Sequence, residues 1–109
     1  MAFSKKEEFG KKEQELAAVA KALSHPARIA IVQHLLRTNA CINGDLVEEL
    51  GLAQATISQH LRALKDAGII RGTIEGVSVS YCINPETWQM ISDSFNGLFE
   101  SFNCNDQCC

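Results

Sequence analysis

The chain ends in CNDQCC, which places Cys104, Cys108 and Cys109 within its last six residues. A chain end buries little surface and exposed thiols oxidise readily, so packing explains three of them poorly. Three thiolates without an imidazole suit a soft, thiophilic ion. The trivalent ions As(III) and Sb(III), which take three sulfurs in a pyramid, match this count best. The alternative is a dispensable, thiol-bearing end.

The remaining cysteines leave the ligand set open. Cd(II) or Zn(II) would require a fourth ligand, which Cys41, water or a second subunit could supply. Cys104 and Cys108 share a helical face only if a helix continues into the tail. Cys82 falls in a predicted strand, where a cysteine is usually a small buried apolar residue.

A second set of chemically useful side chains lies in residues 54–65, QATISQHLRALK. Ile57, Leu61 and Leu64 recur at i, i+4 and i+7 and form one apolar helical face. The opposite face is polar, and glutamine there can pair with an adenine edge while arginine takes guanine or phosphate. We expect base contacts from Gln54, Thr56, Ser58 and Gln59, and phosphate contacts from Arg62 and Lys65, on double-stranded DNA.

The surrounding elements predict how this helix is presented. A short helical pattern, DLVEELG, precedes it and ends at Gly51, so residues 44–67 form two helices joined by a tight turn. Residues 69–83 then form two strands of a hairpin. A helix-turn-helix followed by such a hairpin is a winged helix-turn-helix, mainly α with a small β-hairpin. Arg71 and Gly76 of this wing are expected at the flanking groove or the DNA backbone.

Amphipathic helices are predicted near both ends of the chain, over residues 5–22 and 85–103. The first carries apolar residues from Phe9 to Leu23 at helical spacing. The last carries a stripe over four turns, which favours a homodimer interface over ordinary core. The stripe consists of Trp88, Ile91, Phe95, Leu98, Phe99 and Phe102.

Residues 26–37 form the most apolar predicted helix. We expect the core to contain its Ile29, Ile31, Val32, Leu35 and Leu36. Ser24 or His25 is the predicted cap of this helix. His25 and His34 are expected in capping or surface roles, since no second metal ligand stands at matching spacing. His60 is expected to pack beneath the wing.

Composition allows a single domain over residues 1–109. The net charge of −3 is unusual for a DNA-binding chain, but residues 84–109 contain no Lys or Arg, so this acidic end must face away from DNA. No apolar run is long enough to span a membrane, and no signal peptide pattern is present. We therefore expect a cytoplasmic protein with reduced cysteines and no membrane partner.

The run from Leu23 to Pro85 resembles the ArsR/SmtB family of bacterial metal-sensing repressors. The resemblance covers about two-thirds of the chain and implies a dimer paired through its first and last helices, with an inverted-repeat operator. Ala53 departs from the serine that often caps the recognition helix in the family. The segments that carry the resemblance are ALSHPARIAIVQHLL, DLVEELGLAQATISQHLRALKDAGII and RGTIEGVSVSYCIN.

The resemblance also bears on the cysteines. Many members carry Cys-x-Cys at the start of the third helix, whereas Cys41 stands one position away from that site, which is therefore not intact. Other members bind zinc through Asp and His on the last helix, which this chain excludes because no His follows His60. Some arsenic-responsive relatives carry cysteines at the C-terminal end, and this chain looks like them.

Three functions stay open. The preferred one is a dimeric repressor that leaves its operator when As(III) or Sb(III) binds Cys104, Cys108 and Cys109. The second is a redox- or persulfide-responsive repressor that links Cys41 to a tail cysteine. The third, a small thiol enzyme, rests on the adjacent Cys108-Cys109 pair alone, because CxxC and a phosphate-binding glycine loop are absent from the sequence. We expect no catalytic residue and no organic cofactor.

Overall fold

The computed structural model describes residues 9–38, 46–73 and 80–102, and within them five helices and one antiparallel hairpin. The helices are α1 (Lys11–Ala22), α2 (Pro26–Thr38), α3 (Leu46–Leu50), α4 (Gln54–Asp66) and α5 (Pro85–Glu100), and the strands are β1 (Ile70–Thr73) and β2 (Ser80–Ile83). The prediction of a mainly α fold with one hairpin is confirmed. Within the described residues, none of the helices combines the length and apolarity that a membrane crossing needs.

One core joins the helices to the hairpin. Ile31 and Leu35 of α2 pack with Leu61 and Leu64 of α4, and Tyr81 of β2 joins the same cluster. Each of these side chains is at most 1% exposed. Complete burial of such a side chain contributes on the order of 1.5–3 kcal/mol. The packing of α4 against α2 therefore fixes the position of the polar face on α4.

The predicted core of α2 was too broad. Ile31, Val32 and Leu35 are buried, but Ile29 and Leu36 are 39% and 44% exposed. Ile29 and Leu36 lie seven positions apart and so share one side of the helix. Apolar composition alone did not show that α2 buries one stripe and leaves this other side in solvent.

The first helix begins later than the predicted residue 5. Residues 1–8 lie outside the described part, and α1 starts at Lys11 with Gly10 at its N-cap. Phe9, predicted on the apolar face of the first helix, precedes α1 and is 59% exposed. The buried face of α1 comes from Val19 and Ala22 instead.

The hairpin requires a glycine at one position. In its register Ile70 pairs with Ile83 and Gly72 pairs with Tyr81. Gly72 has φ +132°, and a Cβ there would collide with the carbonyl oxygen of Ser80. A side chain at this position would push the strands apart, so Gly72 sets how closely they approach.

A short junction connects the hairpin to the last helix. Strand β2 ends at Ile83 and α5 begins at Pro85, which leaves Asn84 as the single connecting residue. The Asn84 backbone N–H donates to the Ile69 carbonyl at 3.0 Å, and the Ile69 N–H donates to the Leu64 carbonyl at 3.0 Å. The Asn84 side chain also accepts from the Thr87 N–H at 3.4 Å and caps α5. The end of α4 and the start of α5 are therefore tied together.

Candidate nucleic-acid interface

Helix α4 has two chemically different faces. Its buried face consists of Ile57, His60, Leu61 and Leu64, which hold it against the core. The exposed residues predicted to meet DNA are Gln54, Gln59, Arg62 and Lys65. Gln59 and Arg62 lie three positions apart, nearly opposite the buried stripe. This face carries no acid until Asp66, the last residue of the helix.

The N-terminus of α4 lacks a side-chain cap. Ala53 at the N-cap has extended backbone (φ −64°, ψ 149°) and makes no side-chain hydrogen bond. The first turn also contains no acidic residue. A helix N-terminus carries partial positive charge and unpaired N–H groups, both of which favour phosphate oxygens. The absence of a cap, expected from Ala53, leaves this end of α4 suited to an anionic partner.

A side-chain hydrogen bond joins two of the predicted contact residues. The Gln54 Nε2 donates to Ser58 Oγ at 3.2 Å. This bond uses one amide hydrogen of Gln54 and leaves its carbonyl oxygen and second N–H for a base edge. Ser58 and Thr56 are half-buried, so they lie at the borders of the exposed face.

The wing is described in part. Arg71 lies exposed on β1, directly after the core residue Ile70. Gly76 at the predicted wing tip lies outside the described residues. The structure therefore places Arg71 beside the helix-turn-helix, and the role of Gly76 stays a prediction.

His60 is buried as predicted, but its partners belong to α2 rather than to the wing. The Arg28 Nε donates to His60 Nδ1 at 3.1 Å. The His25 ring lies 4.5 Å from the His60 ring, measured between centroids. Burial is the largest cause that lowers the pKa of His60 below its ordinary value of 6.5, followed by electrostatic interaction with His25 and with the Arg28 guanidinium.

The other members of this cluster have structural roles of their own. His25 caps α2, as predicted, by accepting from the Ala27 N–H at 3.0 Å through its Nδ1. Arg28 also donates from Nη1 to the Ala22 carbonyl at 3.3 Å, at the end of α1. No pattern in the sequence singled out Arg28. The available signal was His60 itself, because a buried imidazole needs a polar partner.

The predicted thiol ligands Cys41, Cys104, Cys108 and Cys109 lie outside the described residues. Helix α5 was predicted to reach residue 103 but ends at Glu100, so α5 itself does not place two tail cysteines on one face. In the described part of the chain, no cluster of three or more His, Cys, Asp or Glu residues could hold a metal ion. Cys82, described on β2, is a half-buried free thiol that pairs with Arg71 across the hairpin.

Comparison with known proteins places this geometry in a family. Residues 25–71 match the family described as bacterial regulatory proteins of the arsR family. The chain is 43% identical over 61 residues to the HTH-type transcriptional repressor SmtB of Mycobacterium tuberculosis, an alignment that covers 56% of this chain and 44% of that protein. It is 36% identical over 72 residues to the HTH-type transcriptional regulator CmtR of Mycobacterium bovis, covering 66% of this chain and 60% of that protein.

The chain thus spans about half the length of these curated relatives. The fold also matches a crystal structure of an ArsR family transcriptional regulator, with a TM-score of 0.66 and 22% identity. That match covers 87% of this chain and 100% of the crystallised chain, and it supports the winged helix-turn-helix architecture. Residues 25–71 therefore match the helix-turn-helix region of the arsR family, and the fold of the chain agrees with that match.

Proposed function

We propose that this chain is a transcriptional repressor that binds an inverted-repeat DNA operator as a homodimer. Each α4 enters a major groove, with the two α4 helices about one helical turn apart. Base edges are contacted by Gln54, Thr56, Ser58 and Gln59. Phosphates are contacted by Arg62 and Lys65. The flanking groove or the DNA backbone is contacted by the wing residues Arg71 and Gly76.

The observation that carries this proposal is the composition of the exposed face of α4. The protein as a whole is acidic, but the exposed face of α4 presents two amides and two cations before its first carboxylate. Contact with solvent alone does not require such a depletion of acidic side chains. Its uncapped N-terminus adds backbone donors. Amide and guanidinium groups are the side chains that pair with base edges and phosphates in the major groove.

The homodimer is supported by the unequal burial of α5. Trp88, Ile91 and Phe95 pack against the core of the protomer. Further along the same helix Leu98 and Phe99 are 55% and 68% exposed, and Phe102 just after it is 71% exposed. Large apolar side chains that lie exposed close to one another are typical of a surface that binds a partner. A second copy of the chain forms a twofold-symmetric interface and supplies a second α4 helix for contact with DNA.

The inducer proposed for this repressor is As(III) or Sb(III), bound by Cys104, Cys108 and Cys109. The donor set supports it, because three thiols without an imidazole match the pyramidal preference of these ions. Cys41 is a possible extra ligand if Cd(II) or Zn(II) binds instead. The first tail cysteine, Cys104, stands four positions after the end of α5, and α5 is tied through Asn84 to the end of α4. A coupling of about 1–3 kcal/mol along this route would empty an operator.

DNA binding is tested first. Duplexes are selected from a random library at pH 7.5 and low salt, and the selected sequences are aligned. We expect an inverted repeat with half-site centres one helical turn apart and a dissociation constant that rises steeply with salt. Selection of no duplex above background by the full chain would reject the proposed function.

The inducer is tested on the selected duplex by adding arsenite or antimonite. We expect release from the wild type and no release from the triple variant Cys104→Ser, Cys108→Ser, Cys109→Ser. Cys82→Ser is the matched control and should release normally. Release of DNA by the triple variant would remove the tail as the sensor. Release by sulfide or peroxide, with a Cys41-to-tail crosslink in the mass spectrum, would favour the redox alternative.

A further inference from the structure

His60 and His25 both use Nδ1 as a hydrogen-bond acceptor. His60 Nδ1 accepts from Arg28 Nε, and His25 Nδ1 accepts from the Ala27 backbone N–H. Neither donor can act as an acceptor, so each Nδ1 must be unprotonated. Both rings are held in one tautomer, in contact with each other and beside a permanent cation.

The cluster connects three helices at one point. Arg28 of α2 bonds simultaneously to His60 of α4 and to the Ala22 carbonyl at the end of α1. His60 is 7% exposed and lies on the side of α4 opposite the residues proposed to meet DNA. The hydrogen bond between Arg28 and His60 therefore adds a directional polar contact between α4 and the start of α2 to the apolar packing of the two helices.

We propose that Arg28 and His60 form a proton-sensitive latch that holds α4 in its DNA-binding position and opens when His60 is protonated. This proposal rests on the proposed function, since the latch acts on the same helix. His60 is a positioning residue, because it acts on DNA through the orientation of α4.

Protonation breaks the latch for two reasons. A proton on Nδ1 removes the acceptor that Arg28 uses, and it places a second positive charge 3.1 Å from that guanidinium nitrogen. The groups that act electrostatically on His60 are His25, which caps α2, and Arg28 within α2. Other elements packed against α4 contribute Glu49 of α3 and Arg71 of β1, and both side chains are solvent-exposed.

One carboxylate lies near the Arg28 end of the cluster. Asp66 at the end of α4 and Lys21 of α1 line the same surface groove as Arg28. Asp66 is exposed, so its attraction for Arg28 is screened by water. It does not replace the acceptor that protonated His60 withdraws.

The direction of the pH dependence follows from the lowered pKa of His60. In the latched state His60 does not bind a proton, whereas in an open state His60 is protonated with its ordinary pKa of 6.5. At pH 5.5 an unconstrained histidine is protonated about ten times more often than not. DNA affinity should therefore be complete near pH 7.5, begin to fall near pH 6.5, and be lower by up to about tenfold at pH 5.5. Ordinary protonation of a DNA-binding surface has the opposite effect, because added positive charge strengthens binding.

The test compares the wild type with His60→Asn on one selected duplex at pH 7.5, 6.5 and 5.5 and constant ionic strength. Asn places Oδ1 near the position of Nδ1, so it accepts from Arg28 without titrating. The wild-type dissociation constant should rise several-fold, up to about tenfold, from pH 7.5 to 5.5, and that of His60→Asn should change less than about twofold. His34→Asn, on the same helix as Arg28, should follow the wild type. Equal pH profiles for wild type and His60→Asn would overturn the latch.

A measurement on the unmodified chain keeps the proposal testable if His60→Asn fails to fold. Long-range ¹H–¹⁵N spectra of the imidazoles at pH 7.5 should show His60 with an unprotonated Nδ1, and acidification should remove that state. A protonated Nδ1 at pH 7.5 would overturn the latch. Failure to bind any duplex at pH 7.5 would reject the proposed function instead, so the two failures are distinguishable.

Discussion

Helices α4 and α5 are both amphipathic, but they leave opposite kinds of surface in solvent. Helix α4 buries Ile57, Leu61 and Leu64 to within 2% exposure and presents amides and cations outward. Helix α5 fully buries only Ile91 among its apolar residues and leaves Phe99 exposed at its C-terminal half. The exposed face of α4 suits a polar, anionic partner, whereas that of α5 suits an apolar one. Burial within one protomer thus separates the surface proposed for DNA from the surface proposed for a second copy.

The largest effect is expected where α4 enters the core. Leu61→Ala should lower the free energy of unfolding by about 2–5 kcal/mol, because Leu61 is 1% exposed and its removal leaves a cavity. Urea unfolding at protein concentrations below the dimer dissociation constant measures this change. Leu98→Ala, on the exposed part of α5, is the control and should change that protomer stability by less than about 0.5 kcal/mol. Equal losses for both variants would abolish the contrast between the helices.

A charge in the α5 stripe should separate the two copies. Phe99→Glu should weaken dimerisation by about 2 kcal/mol or more for each copy, because the proposed interface loses an aromatic side chain and must desolvate a carboxylate. Light scattering and sedimentation measure the mass, and circular dichroism should show an unchanged helix content. Asn96→Glu, which adds the same charge at an exposed position on the same helix, should leave the dimer intact. A Phe99→Glu variant that remains dimeric would assign this face to another role.

Substitutions on the exposed face of α4 should affect DNA and leave stability unchanged. Arg62→Ala should weaken binding to all sequences and reduce the salt slope by about 1 for each bound protomer. Gln59→Ala should instead lose about 1–3 kcal/mol of discrimination at one base pair. Anisotropy titrations on matched and mismatched duplexes separate these effects, with Gln89→Ala on α5 as the control. If Gln59→Ala, like Arg62→Ala, weakened binding equally to matched and mismatched duplexes, Gln59 would not make a base-specific contact.

The smallest effect concerns the uncapped start of α4. Ala53→Ser should raise the free energy of unfolding by about 1 kcal/mol, because serine at the N-cap accepts a first-turn N–H. Ala55→Ser, two positions further along and inside the helix, should give no gain. Thermal unfolding of the two variants decides the point. A gain from Ala55→Ser as large as that from Ala53→Ser would mean that capping is not the cause.

Periodicity predicted the elements well because the strongest signals were local. The i, i+4, i+7 spacing of Ile57, Leu61 and Leu64 gave the buried face of α4, and the Asn84-Pro85 pair gave the start of α5. Ile29 was assigned wrongly because spacing does not show which sides of an apolar helix are covered.

The candidate site was predictable where its residues are local to α4 and not where they are distant in sequence. The bond between Arg28 and His60 spans 32 positions, so no spacing rule connects the two residues. His25 was found as a cap because capping depends on adjacent residues, but its contact with His60 depends on packing.

The single residue between β2 and α5 has a geometric consequence for how such chains diverge. Because an α-helix turns about 100° per residue, one residue added to the first turn of α5, with Asn84 still bonded to Ile69, would rotate the aromatic stripe by roughly a quarter turn around the α5 axis. The two wings of a dimer would then no longer point along the same duplex. An added residue here therefore reorients the whole apolar face of α5, whereas a substitution on α5 changes one contact of that face.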